Sequence, residues 1–481
     1  MSKNIKKKWN TDNSYLELPS KLYTKQLPEK CFNPKLLYYN YDLAKRIGCE
    51  SLSKSEILDI FSGNKLSKSH TSISQAYAGH QFGHFNILGD GRAVLLCEQI
   101  APDNIRYDIQ LKGSGQTPYS RRGDGKATIT SVLREYLMSE AMFYLNIPTT
   151  RSLAVIESSE KIFREKVFNR GVLTRVSLSH IRFGTFEFVR KFCTKDEMEI
   201  FIKYVINRHF PQISNSCTPV LNFFELVMQK QVDLIVDWMR VGFIHGVMNT
   251  DNMSIPGETI DYGPCAFMNI YNPDTAFSSI DVNRRYSFGN QPKITFWNLN
   301  ILANTLIPLI SNNEENSKKI IRERMDKFPT IFKNSWYNMM FKKLGIISSD
   351  NEDKILVKSL LRIMEKYKLD YNNTFAALTM DNSSVDFFLK INEFKNWKER
   401  WKNRLNNSSK SLKSMKKQNP IIIPRNHLVE EALENTINGD FTNYNNLLNL
   451  ISKPYDYNKS DCNLQTTPKG FDDSYRTFCG T

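Results

Sequence analysis

The sequence predicts an α+β chain of two lobes, a small sheet-rich N-terminal lobe followed by a larger helical lobe with a C-terminal extension. Three observations carry this reading. Glycine and β-branched residues concentrate before about residue 185. Short apolar or alternating runs in that region have the length and turn punctuation of strands. Beyond it, apolar residues recur at helical spacing with charged residues on the opposite faces. The expected units are 1–185, 186–415 and 416–481.

Taken in order, Ala93 to Ile100 is an apolar run suited to a buried strand, Ala101-Pro-Asp-Asn104 supplies turn chemistry, and Tyr107 to Lys112 alternates between faces. With a period of two, Tyr107, Ile109 and Leu111 share one side, so Lys112 points away from the apolar face. From Thr130 to Leu145, apolar residues at 133, 136, 137, 141 and 144 predict a helix carrying Glu135, with Pro148 beyond its end. Lys161 to Val176 reads as a strand pair turning near Asn169–Gly171. Lys195 to Arg208 and Phe224 to Val241 read as amphipathic helices. Lys395 to Lys417 reads as a basic helix with two tryptophans, followed by a short helix near His427 to Thr436 and an irregular, asparagine-rich tail.

The 481 residues are enough for one large two-lobed enzyme or about three domains of roughly 150 residues. With 41% hydrophobic and 24% charged residues, the composition is that of a globular protein. No run reaches the roughly 18 to 20 apolar residues of a membrane span; the best candidate, Ile301 to Ile310, contains Asn304 and Pro308. A net charge of +15 favours anionic partners. The lysine-rich start, Met1 to Asn10, precedes no apolar segment, and Asp12 and Glu17 make a poor transit peptide, so a cytoplasmic location is expected. Eight cysteines without a CxxC pair speak against a disulfide framework or a structural zinc site.

Four clusters carry chemistry. Gly89-Asp90-Gly91-Arg92 enters the strand at Ala93; its glycines admit a phosphate to the backbone and Arg92 adds a planar donor, although Gly-Asp-Gly also suits an ordinary hairpin. Lys112-Gly-Ser-Gly115 and Tyr119-Ser-Arg-Arg-Gly-Asp-Gly-Lys126 match neither GxxxxGK[ST] nor GxGxxG, yet form a donor-rich loop that suits polyphosphate and a solvated surface loop equally. Lys112 on a strand and Glu135 on the following helix repeat the arrangement by which kinase folds orient a phosphate-binding lysine, although the spacing alone suits two surface charges better. Finally, His245-Gly-Val-Met-Asn-Thr-Asp-Asn252 is followed by Asp261-Tyr-Gly263. An Asp-Asn loop followed by Asp-x-Gly is how kinase-like enzymes place a proton acceptor and a metal-binding carboxylate beneath a nucleotide. Asn252 and Asp261 supply the hard oxygens Mg²⁺ prefers, with Mn²⁺ as an alternative, and Asp251 is free to accept a proton.

These residues carry a resemblance. Ala78-Gly-His-Gln-Phe-Gly83, Leu88-Gly-Asp-Gly-Arg92, Gln110-Leu-Lys-Gly-Ser-Gly115, His245 to Met253 and Ile260-Asp-Tyr-Gly-Pro264 resemble the selenoprotein O family, densely from about residue 70 to 300 and more weakly at Leu22 to Gly48. The resemblance implies a protein kinase-like fold that binds ATP in a flipped orientation and transfers AMP to Ser, Thr or Tyr hydroxyls of proteins. It implies that Lys112 contacts phosphates and pairs with Glu135, that Gly89, Gly91, Arg92, Asp124 and Gly125 line the nucleotide, and that Arg175 and Arg182 add phosphate contacts. It further implies that Asp251 is the proton acceptor and that Asn252 and Asp261 bind Mg²⁺. Family members often end in a redox motif, and Cys479 stands third from the end here, with Cys265 or Cys462 as candidate disulfide partners.

Other signals have plainer readings. His80 and His84 stand four apart, but Gly79 and Gly83 weaken a helix there and Gln81 replaces the glutamate of HExxH, so a structural role is expected for both. His245 is expected to organise backbone. The basic segment Trp397 to Lys417 reads as a solvated helix with buried tryptophans rather than a nucleic-acid surface. The expected protein is a monomer acting on protein substrates, with neither membrane nor nucleic acid as partner. The competing functions are a conventional ATP-dependent kinase and a non-catalytic nucleotide- or RNA-binding protein.

Overall fold

Strand alternation sorts the side chains of a ten-stranded antiparallel sheet into two cores. The computed structural model describes residues 10–66, 71–348, 350–380, 390–405, 409–457 and 466–478. Along the main path the strands run Tyr23–Lys25, Ile73–Gln81, Ala93–Ile100, Arg106–Lys112, Val167–Ser177, Arg151–Phe163, Lys35–Tyr39. Val94, Leu96, Ile109, Leu111 and Val172 pack in an outer core against helices Tyr41–Ile47 and Lys54–Phe61. Leu95, Val155 and Leu173, one residue out of phase, join the larger core shared with the helical lobe. Lys112 is on the inner side of its strand, as the alternation required, and reaches helix Ile129–Tyr144.

That helix begins where expected because the Thr128 hydroxyl accepts the Ser131 amide at 3.1 Å, satisfying one of the free donors of its first turn. Its buried stripe, including Val132, Leu133, Tyr136 and Leu137, lies on strands Arg151–Phe163 and Val167–Ser177. The strand pair is longer than expected. Its reversal lies at residues 164–166, where the Arg164 amide donates to Lys166 O, and Asn169–Gly171 is a bulge within the second strand. The Asn-x-Gly signature marks an irregular strand as readily as a turn.

In the helical lobe, Pro219–Val241 is the central helix. Proline stands at its first turn and Gly242 ends it with φ of 74°. Two short antiparallel strands, Phe243–Ile244 and Ala266–Phe267, follow and bracket the segment holding Asp251, Asn252 and Asp261. The basic segment divides into helices Asn392–Leu405 and Ser409–Gln418. Trp397 and Trp401 are buried, and their indole N–H groups donate to Leu356 O and Leu344 O at 2.9 Å, so neither ring is open to a nucleobase. The asparagine-rich stretch expected to be irregular contains helix Thr442–Ile451, which buries Tyr444, Leu447 and Ile451. Among the described residues no helix is long and apolar enough to cross a membrane.

Candidate active site

The facing edges of the two lobes bring five charged side chains into one buried cluster. Lys112 Nζ donates to Glu135 Oε2 at 2.5 Å and to Asp261 Oδ1 at 2.9 Å. Arg175, on strand Val167–Ser177, donates through Nε and Nη2 to Glu135 Oε1 at 2.9 and 2.5 Å and through Nη2 to Asp261 Oδ1 at 2.7 Å. Arg182 lies 3.6 Å from Asp261 Oδ2, donates to the Asp251 carbonyl at 2.9 Å, and stacks over Tyr77 at 4.4 Å. Three cations against two carboxylates leave the cluster positive, which suits a polyphosphate.

Burial and charge act in opposite directions here. Burial pushes the Lys112 ammonium down, although Asp261 and Glu135 resist this. Burial also disfavours the Asp261 charge, but Lys112, Arg175 and Arg182 outweigh it and hold the carboxyl well below its ordinary range. Arg175 and Lys112 likewise hold Glu135 low. Asp251 differs: burial pushes it up to about 7, only partly offset by Arg182, and its Oδ1 has no hydrogen-bond partner among the described residues. A nearly water-free carboxyl titrating near neutrality is suited to accepting a proton.

The loop holding these groups is fixed from behind. His245 stacks on Trp238 with centroids 5.2 Å apart, donates from Nε2 to Ile260 O at 2.8 Å, and accepts the Val247 amide at Nδ1, so it organises backbone as expected. Asn252 spends its amide N–H on Val247 O at 3.0 Å, leaving Oδ1 available. Asp261 has φ of 63°, a strained conformation for a non-glycine residue that turns its carboxylate into the cleft.

Gly89, Gly91 and Arg92 form the turn into strand Ala93–Ile100, where Asp90 accepts the Gln75 amide at 3.1 Å and Gln110 Nε2 at 3.2 Å. Burial raises this carboxyl to about 6. Packing by itself requires the two glycines, since a Cβ on Gly89 would stand 2.4 Å from the Tyr119 ring and one on Gly91 2.8 Å from Tyr119 O. Gly125 is similarly confined: a Cβ there would stand 2.1 Å from Gly115 O. The Asp124 carboxylate is engaged by Arg164, at 2.9 and 2.8 Å, and not by the Lys112 cluster.

Sequence reasoning missed Asp90 as a brace, Tyr119 as the residue filling the space beside Gly89, and Arg164 as the Asp124 partner; only the Gly-Asp-Gly signature hinted at the first. His80 and His84 stand on a hairpin, paired with Phe85 and Gln81, so helical metal-ligand spacing does not exist there. Among the described residues no three His, Cys, Asp or Glu side chains gather as a metal site. Cys265 is buried, its thiol pushed up to about 12 by burial, while Cys462 and Cys479 lie outside the described residues.

The family model described as Protein adenylyltransferase SelO matches residues 7–452. Relatives described as Protein nucleotidyltransferase YdiU include one from Clostridium beijerinckii, 49% identical with 98% of both chains covered, and one from Pelagibacter ubique, 48% identical with 98% of this chain and 99% of the relative covered. Another, from Bacillus cytotoxicus, is 49% identical over 98% of each chain. With a match of this extent superposed on a kinase-like lobe arrangement and a positive inter-lobe cluster, the chain belongs to the SelO family of protein adenylyltransferases.

Proposed function

We propose that this protein adenylyltransferase moves AMP from ATP to Ser, Thr or Tyr hydroxyls of target proteins, releasing pyrophosphate, with the roles divided among the residues of the inter-lobe cluster. The observation that carries this reading is the convergence of Lys112, Arg175 and Arg182 around Asp261 beside the protonatable Asp251. Asp251 accepts the hydroxyl proton as the oxygen attacks the α-phosphorus. The bond between that phosphorus and the bridging oxygen to the β-phosphate breaks, and the electron pair leaves with pyrophosphate. Lys112, Arg175 and Arg182 face the charge that builds on this leaving group, and Glu135 holds the first two in place.

Gly89, Gly91 and Arg92 line the nucleotide, with Asp124 and Gly125 on the adjoining loop. Asn252 Oδ1 and Asp261 would hold Mg²⁺, or Mn²⁺ in its place. The free amide oxygen and an anionic carboxylate are hard donors of the kind these ions take, with phosphate oxygens and water completing the shell. When bound, such an ion supplies further neutralisation of phosphate charge.

The test is incubation with ATP labelled at the α- or, separately, the γ-phosphate. Label on protein from the α form, with pyrophosphate as co-product, is expected. Label from the γ form alone, with ADP released, would make the chain a conventional kinase.

A further inference from the structure

Above Asp251, the hairpin of strands Ile73–Gln81 and His84–Gly89 is docked on the catalytic loop at several points. The His80 amide donates to Thr250 Oγ1 at 2.7 Å, and the Phe82 amide donates to Asn249 Oδ1 at 3.0 Å. Gly79 lies directly on the Asp251 side chain: a Cβ there would stand 2.4 Å from Oδ1. The same strand is also held by helix Phe183–Phe192, which crosses so closely at Gly184 that a Cβ would stand 1.9 Å from Ala78 O and 3.4 Å from Asp251 Cα.

Among the described residues, His80 makes the one side-chain hydrogen bond between the hairpin and this helix. Its Nδ1 hydrogen-bonds to Glu187 Oε2, and its ring is wedged between Phe85 and Trp297, each 5.5 Å away. Glu187 is 4% exposed, and burial pushes its carboxyl up, a rise that Thr250 and His80 only partly offset. A carboxylate buried at that depth is costly unless partnered, so the pairing fixes His80 in position rather than decorating a surface. His80 therefore grips Thr250 through its backbone and Glu187 through its ring, while its neighbour Gly79 carries the Asp251 carboxylate.

We infer that His80 and Glu187 are positioning residues for the hydroxyl-activating Asp251: their pair clamps the hairpin to helix Phe183–Phe192 and so sets where the Asp251 carboxylate stands. The inference rests on the proposed role of Asp251 as proton acceptor. Neither residue is among those facing the phosphates, so the pair acts on the attacking side of the reaction and leaves nucleotide binding alone.

His80→Phe keeps the wedged ring and removes Nδ1; Glu187→Gln removes the carboxylate; His80→Asn restores an N–H near the Nδ1 position. For the first two, kcat for transfer to a protein acceptor is expected to fall about 10- to 100-fold, the range set by displacing a catalytic group by a fraction of an ångström to an ångström. KM for ATP and calorimetric ATP affinity should remain within about twofold, the scatter of unrelated surface changes. His80→Asn should recover most of the loss, and the double variant should be no worse than the poorer single one.

Wild-type kcat in His80→Phe and Glu187→Gln overturns the inference, as does a parallel loss of ATP affinity or a failure of His80→Asn to restore transfer. If His80→Phe does not fold, Glu187→Gln decides alone. Asp251→Asn tests the underlying role separately: full activity in that variant removes Asp251 as proton acceptor whatever the His80 variants do, whereas its inactivity beside a fully active His80→Phe refutes only the clamp.

Discussion

Gly79→Ala isolates the contact between the hairpin and Asp251. The added methyl carbon would stand 2.4 Å from Asp251 Oδ1 and 2.9 Å from its Cβ, whereas ordinary van der Waals contact begins at 3.4 Å. Relief therefore requires a shift of about 1 Å, by the strand or by the aspartate. The strand resists, because Gly184 is packed tightly on Ala78 O and the His80 and Phe82 amides are bonded to the loop. The aspartate side chain must yield, and a displacement of 1 Å at a reacting group costs on the order of 100-fold in rate. Steady-state transfer to a protein acceptor at saturating ATP should show that loss in kcat, with ATP affinity by calorimetry and circular dichroism unchanged. A variant that transfers AMP at the wild-type rate would refute the claim that Gly79 is needed for the carboxylate's placement.

Lys112→Ala removes one of three cations and should lower transfer by about 10²- to 10³-fold, measured as label incorporated from α-labelled ATP. Glu135 keeps Arg175 in that variant, so the chain should still fold, which a thermal melt checks. Glu258 accepts the Ser177 hydroxyl at 2.7 Å and the Leu178 amide at 3.0 Å, and burial raises its carboxyl to about 7. A raised acid contributes stability that is present below its unfolded value and is lost as pH rises toward 7. Relative to wild type, Glu258→Gln should therefore gain stability between pH 5 and pH 8, on the order of 2 kcal/mol, read by denaturant melts at each pH. Chelation should abolish transfer and added Mg²⁺ restore it, with Asn252→Ala shifting the Mg²⁺ dependence to higher concentration; transfer undiminished in excess chelator would remove the metal from the scheme.

Period-two alternation over residues 107–112 placed Lys112 on the face opposite Ile109 and Leu111, and helical spacing from Thr130 to Leu145 placed Glu135, because both are local consequences of backbone geometry. The motif order Lys, Glu, Asp-Asn, Asp-x-Gly was equally legible, since chain order is sequence. Two misreadings show where locality fails. Asn169–Gly171 has turn chemistry but is held in a strand by neighbours on both sides, the short strand Ala127–Thr128 and Arg151–Phe163. Thr442–Ile451 has poor helical composition but folds as a helix because Tyr444 reaches Leu133 O at 2.7 Å and its apolar face finds a core.

What the amino-acid order determined alone was which chemical groups the cleft possesses and on which elements each stands. Tertiary structure decided their company: Lys112 meets Asp261 across 149 positions of chain, and Gly79 meets Asp251 from a hairpin in the other lobe. Those meetings set burial and neighbouring charge. Burial and charge in turn separate two aspartates ten residues apart, one held ionised and the other poised near neutrality, a difference no local property of either residue contains.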